Sequence, residues 1–203
     1  MLVLLRGLLC RMACCKRGRI SVNRTVLVIS SSLRKGSNSD QLARSFERGA
    51  REAGHTVEYV SLRDIDIAYC VGCLGCHRRG DGHCFMHDDV DALVQKMRRA
   101  DVIAMATPVY FYGLSAQLKA VLDRTNPPYK LDYAYRDIYL LSCAAEPGDH
   151  AFEKTRMGLE GWIECFPQAR FAGSVCAGGL EGAGAIAQHP ELLERAYQLG
   201  YSV

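Results

Sequence analysis

Four cysteines, Cys70, Cys73, Cys76 and Cys84, fall within 15 residues at the spacing C-x2-C-x2-C-x7-C. Three thiols two residues apart can wrap around a compact inorganic cubane, with a fourth reaching back from Cys84, and such spacing is typical of iron–sulfur ligation. Four thiolates also suit a structural zinc ion, for which His77, His83 and His87 offer further ligands. A loop of reduced thiols is the third reading. Cys73 to His77 (CLGCH) also matches c-type haem attachment, but that chemistry implies export, and the amino-terminal segment lacks the order of a secretory signal. Ten cysteines in 203 residues are too sparse for a small disulfide scaffold. Cys143, Cys165 and Cys176 stand singly and are expected in the core.

Two further loops could bind a ligand. Ser31 to Ser39 (SSLRKGSNS) gathers hydroxyls, the Arg34 guanidinium and free backbone N–H groups at a helix start, with Ser32, Arg34, Ser37, Asn38 and Ser39 as candidates. Such a site wants an anion; the alternative is an ordinary polar loop with a helix cap. Neither a Walker A spacing nor G-x-G-x-x-G occurs there, which favours a mononucleotide over a triphosphate or a dinucleotide. The second loop, Thr107 to Gly113, places Pro108, Val109, Tyr110, Phe111 and Tyr112 in succession. Exposed aromatic planes and backbone amides could hold a flat fused ring by face and edge, unless the rings turn inward as core. Gly182, Gly184 and Ala187 spell G-x-G-x-x-A, but too little chain follows for the next strand and its acidic ribose ligand, so these glycines read as a flexible loop.

The elements that must position these loops alternate regularly. Thr25–Ser30 is an unbroken apolar run, the pattern of a strand covered on both faces. Asp40–Ala53 repeats its apolar residues at helical spacing, and Thr56–Ser61 reads as a second strand. Residues 61–86 form a long loop too rich in Gly, Cys and charge for regular structure. A helix over Asp88–Arg99, with acids in its first turn, leads to a strand over Asp101–Ala106. Ser115 caps a helix to Arg124; a strand over Ile138–Cys143, a helix over His150–Phe166, a strand over Ala169–Ala177 and a helix over Pro190–Leu199 follow. Alternating strands and helices imply an α/β three-layer fold with right-handed crossovers. Five parallel strands suit the flavodoxin-like order 2-1-3-4-5, which puts a ligand crevice at the carboxyl ends of the first and third strands.

The formal charge is +3, but five of the 25 basic side chains lie in residues 1–20, and without them the balance is −2. A nearly neutral body carries no nucleic-acid footprint. The longest apolar run in the amino-terminal segment, Met1–Leu5, is far short of the roughly 20 residues of a transmembrane helix. Residues 1–22 read as an extension or an early start, with an amphipathic membrane-surface anchor or organelle presequence as the alternative, a single domain over 23–203, and no expected function for Cys10, Cys14 and Cys15.

The run from Val26 to about Tyr201 resembles flavodoxin-like NADPH-dependent FMN reductases, in the branch that includes the iron–sulfur flavoproteins. SSSLRKGSNSDQLA resembles that family's phosphate loop, with Ser31 standing for a Gly and Leu33 for a Pro, while Ser32, Arg34, Ser37, Asn38 and Ser39 match. TPVYFYGLSAQLKAVLDR resembles its flavin-ring loop, and AGGLEGAGAIAQHPELLERAYQLG its carboxyl-terminal run. The cysteine run is similar to the compact motif that holds a [4Fe–4S] cluster in that branch. The resemblance implies non-covalent FMN with its phosphate on Ser32–Ser39 and its ring near Thr107–Gly113. It also implies NAD(P)H as hydride donor, a quinone, flavin, nitro, azo or metal acceptor, and no side chain acting as catalytic acid or base. A cytoplasmic homodimer or homotetramer is implied as well. The alternatives are an iron–sulfur electron carrier served by a ferredoxin-like protein, and a non-catalytic module with a structural zinc loop.

Overall fold

A computed structural model describes residues 23–203. Cys10, Cys14 and Cys15 lie outside the described residues, as does the expected extension over 1–22. The strands are β1 (Thr25–Ser30), β2 (Thr56–Ser61), β3 (Val102–Pro108), β4 (Asp137–Cys143) and β5 (Arg170–Ala177). All pair in parallel, in the order β2-β1-β3-β4-β5, as the sequence pattern implies. The helices are α1 (Asn38–Glu52), α2 (Gly75–Arg79), α3 (Val90–Arg99), α4 (Ala116–Asp123), α5 (His150–Glu164) and α6 (Pro190–Tyr201). The short α2 lies inside the segment expected to be irregular, opened by Leu74 and closed by Gly80, both in the left-handed region.

The apolar run of β1 is unbroken because helices cover both faces of the sheet. Val26 and Val28 pack with Leu42, Phe46 and Ala50 of α1 and with Ala196 of α6. Leu27 and Ile29 pack on the opposite face with Leu93 and Met97 of α3, Leu118 of α4 and Leu159 of α5. Helices α1 and α6 touch backbone to backbone: a Cβ on Gly49 would run into the carbonyl oxygen of Tyr197, and one on Gly200 into that of Phe46.

Two expectations about cysteines need correction. Cys143 is buried, but Cys165 is exposed because it caps the carboxyl end of α5, and Cys176 is only half-buried because β5 is an edge strand.

Candidate functional site

The parallel sheet aims the carboxyl ends of β1, β3 and β4 at one edge. There the loops after these strands meet in a cleft of about 280 Å³, lined by Ser32, Arg34, Ser37, Asn38 and Ser39 on one side and by Pro108, Val109 and Tyr110 on the other. The two sequence-predicted loops therefore converge.

The phosphate-loop candidates divide by what their side chains already do. Ser37 is the N-cap of α1, and its Oγ accepts the Asp40 N–H. The Asn38 amide is committed elsewhere: Nδ2 donates to Gly182 O and Oδ1 accepts from Ile186 N, so it ties the 182–186 loop to α1. Ser32 Oγ accepts from Arg34 N. Ser39 is different. Its residue is buried, its Oγ has no partner, and it sits in the first turn of α1, whose opening N–H groups also lack intrahelical acceptors. A buried orphan hydroxyl is costly unless something arrives to bond it.

A buried hydroxyl chain joins the two loops. Ser115 Oγ donates to Ser31 Oγ at 2.8 Å, and Ser31 Oγ donates to Ala106 O at 2.9 Å. Thr107 Oγ1 accepts from Ser115 N and donates to Pro108 O. Ser31 and Thr107 thus fix the cleft's walls rather than line it, and the Ser31 hydroxyl finds its partners inward.

The aromatic loop is a tight hairpin, with Tyr110 and Gly113 bonded to each other in both directions. Its two central residues, Phe111 and Tyr112, both have positive φ (50° and 62°), as in a type I′ turn that ordinarily takes Asn-Gly. Bulky aromatics pay strain there, and such strain clusters at ligand sites. Phe111 is fully exposed at the tip and, like Gly113, is not in the cleft wall. The hairpin is braced on α5: Tyr112 Oη donates to Glu146 Oε2, Glu146 Oε1 pairs with His150 Nε2, and Thr155 Oγ1 donates to Tyr112 O. The N–H groups of Val109 and Tyr110 are spent on Cys143 O and Gly113 O, so this loop offers a flat ligand ring faces more than amides.

Sequence reasoning missed the remaining walls. Cys143 ends β4 and Ala144 and Ala145 follow it, while Leu180, Gly182 and Ala183 follow β5. The signal for the first group was available, since β4 neighbours β3 and must end at the same edge. Of the two glycines read as a flexible loop, Gly182 is therefore part of the cleft wall. Burial pushes the Cys143 thiol well up, keeping it protonated and inert. Among the described residues no carboxylate or histidine lines the cleft.

The four motif cysteines line one narrow pocket of about 40 Å³, together with Phe85, Met86 and Arg124. The acids at the start of α3 hold this loop by its ends. Asp89 Oδ2 accepts from Asp66 N, Asp88 Oδ2 from Ala68 N and Asp91 Oδ1 from Cys84 N. Within the loop, Gly75 N donates to Cys73 Sγ at 3.4 Å. Burial, then the neighbouring Cys84 and Cys73 sulfurs, push the Cys76 thiol up against opposing backbone hydrogen bonds. Among the described residues no three His, Cys, Asp or Glu side chains are grouped to hold a single metal ion. Tetrahedral zinc needs its thiolates about 3.8 Å apart, from Zn–S bonds of about 2.3 Å, whereas a cubane spreads four thiolates over four irons. Four thiols around one pocket are a donor set of the kind a [4Fe–4S] cluster takes.

With the cleft described, the sequence comparison decides the family: the profile described as NADPH-dependent FMN reductase matches residues 24–178. The chain belongs to that family. Among its relatives, an iron–sulfur flavoprotein of Methanocaldococcus jannaschii is 41% identical over 102 residues, 50% of this chain and 52% of that protein. One from Methanosarcina thermophila is 32% identical over 138 residues, 66% of this chain and 70% of that protein. The chain thus spans about half the length of the first of these relatives. Among solved structures, the azoreductase AzrA superposes with a TM-score of 0.67 at 19% identity, over 88% of this chain and all of that one. The NAD(P)H:quinone oxidoreductase of Methanothermobacter marburgensis gives 0.65 at 18% identity, over 89% and 97% of the two chains. These likenesses establish the flavodoxin-like fold. No described helix of this FMN reductase family member is long and apolar enough to cross a membrane.

Proposed function

We propose that this chain is an FMN-dependent NAD(P)H oxidoreductase whose flavin phosphate lies at the start of α1 and whose flavin ring lies beside the Pro108–Tyr110 segment. The observation that carries this reading is the buried, unpartnered Ser39 hydroxyl in a cleft otherwise built for an anion and a flat ring. Ser39 Oγ and the first N–H groups of α1 donate to the phosphate, with Arg34 adding charge at the rim. Ser32, Ser37 and Asn38 contribute chiefly by shaping this loop, and Thr107, Phe111 and Gly113 by shaping the hairpin. Leu180 and Ala144 exclude water from the ring's inner side. Bound FMN supplies the hydride acceptor and the outlet for electrons. In this reading the chain's own tasks are position and electrostatics. Quinones, flavins, nitro or azo compounds and metal ions are suitable acceptors, and a second copy of the chain is the expected partner. Steady-state oxidation of NADH and NADPH by FMN-loaded chain against a panel of these acceptors tests the reading; turnover that needs FMN is expected, and none with any acceptor refutes it.

A second reading is favoured by the shared cysteine pocket: an iron–sulfur flavoprotein in which a [4Fe–4S] group on Cys70, Cys73, Cys76 and Cys84 passes single electrons. Tyr69, Val71, Leu74 and Phe85 leave an apolar exposed rim around that loop, suited to a ferredoxin-like donor. Labile sulfide and iron in anaerobically purified chain test it; a chain holding zinc alone removes it.

A further inference from the structure

The strongest feature the proposed activity leaves unused is Arg124, the C-cap of α4. It is 2% exposed, far below what an arginine ordinarily accepts without full pairing. Its outer nitrogens are paired: Nη1 donates to Ala68 O (2.9 Å) and Asp88 Oδ2 (2.7 Å), and Nη2 to Asp88 Oδ1 (2.9 Å). Its Nε is buried and has no partner. The two-pronged pair with the Asp88 carboxylate balances the guanidinium, which stays charged. Arg124 also lines the pocket of the four cysteines.

A rigid fork held by three hydrogen bonds on its outer nitrogens leaves its Nε–H fixed in place. The pocket that Arg124 lines is also lined by the four motif cysteines, of which Cys84 is itself pinned by the hydrogen bond from its N–H to Asp91 Oδ1. We propose that Arg124 is a positioning residue for the cysteine-held iron–sulfur group: its Nε–H bonds the Cys84 sulfur, selects Cys84 as the fourth ligand and raises the group's reduction potential. This rests on the iron–sulfur reading and extends it. On reduction the group gains one electron from the reduced flavin and its charge becomes more negative by one. Arg124 neither gains nor loses a proton, so its whole effect is to stabilise the reduced state.

The test uses the full chain, reconstituted anaerobically with ferrous iron, sulfide and FMN and titrated electrochemically with spectroscopic detection. Arg124→Lys keeps the charge and removes the planar Nε–H. The paired change Arg124→Gln with Asp88→Asn removes the charges together and guards against misfolding from an unpaired Asp88. Both are expected to keep iron, sulfide and FMN while the one-electron equilibrium shifts about tenfold toward the oxidised group, a fall of about 59 mV. The flavin's own potential is expected to stay where it was, which a general loosening of the fold would not allow. Unchanged cluster potential in both variants overturns the proposal alone. A wild-type chain that binds FMN but takes up no iron or sulfide overturns the proposal together with the iron–sulfur reading, and leaves the flavin reading standing.

Discussion

Replacing Ser39 with alanine should move stability and FMN affinity in opposite directions. In the ligand-free chain the buried Ser39 Oγ has no partner, a penalty of about 1–3 kcal/mol that alanine removes. Alanine is also the better residue inside a helix, and Ser39 stands after the N-cap, so no cap is lost. Ser39→Ala is therefore expected to raise the stability of ligand-free protein by about 1 kcal/mol, roughly 2–4 °C in Tm for a chain of this size. With FMN the same hydroxyl donates to a charged phosphate, a bond worth about 1.5–3 kcal/mol, so FMN affinity should fall about 10- to 150-fold. Riboflavin, which lacks the phosphate, should bind wild type and variant alike. Thermal unfolding without ligand and fluorescence titration with FMN and riboflavin read all three quantities. A variant that is less stable and binds FMN as wild type does would refute the reasoning, because the hydroxyl would then be serving the fold.

Other expectations concern the scaffold. Ser115→Ala breaks the buried bond to Ser31 and the cap on Leu118 N, and should cost about 1–2 kcal/mol in urea unfolding. Gly200→Ala forces a methyl into the Phe46 carbonyl and should cost more than about 3 kcal/mol. Gly161→Ala, where a Cβ meets nothing on the exposed last turn of α5, should instead stabilise by about 0.5 kcal/mol, and equal effects in the two would contradict the close α1–α6 contact. Asp88 and Asp137 are both pushed up by burial but held below the ordinary carboxylate range overall, Asp88 by Arg124 and Asp137 by Arg170 and Arg24. The unfolded chain therefore takes up protons first, near pH 3.9, and the stability these pairs supply is present above that value and lost as pH falls through the depressed native pKa values. Stability measured from pH 6 to 3 should fall more steeply in wild type than in Asp88→Asn.

How much of this was legible follows from the range of the interactions. The central strands β1, β3 and β4 wrote their own signature because burial on both faces demands apolar β-formers over a short run, and the capping hydroxyls of Ser37 and Ser115 act within three residues of themselves. The convergence of the two loops followed from parallel topology. What stayed hidden was set by contacts between distant segments. The Asn38 amide matches a phosphate-loop position, yet it bonds residues 144 and 148 places away. The acids before α3 read as complements to a helix dipole and turn out to fasten the cysteine loop. Arg124 read as the polar end of a helix, and only the approach of Asp88 makes its burial tolerable. The left-handed Phe111 and Tyr112 could not be read either, because no local rule places bulky aromatics there.

The central claim is that NAD(P)H reduces a flavin seated between the start of α1 and the hairpin. Anaerobic rapid mixing of the FMN-loaded chain with NADPH and, separately, NADH tests it directly through the flavin's visible absorbance. The account predicts bleaching of the whole bound flavin in a single turnover with at least one of the two. Flavin that stays oxidised with both nucleotides, while remaining bound and reducible by dithionite, would contradict it.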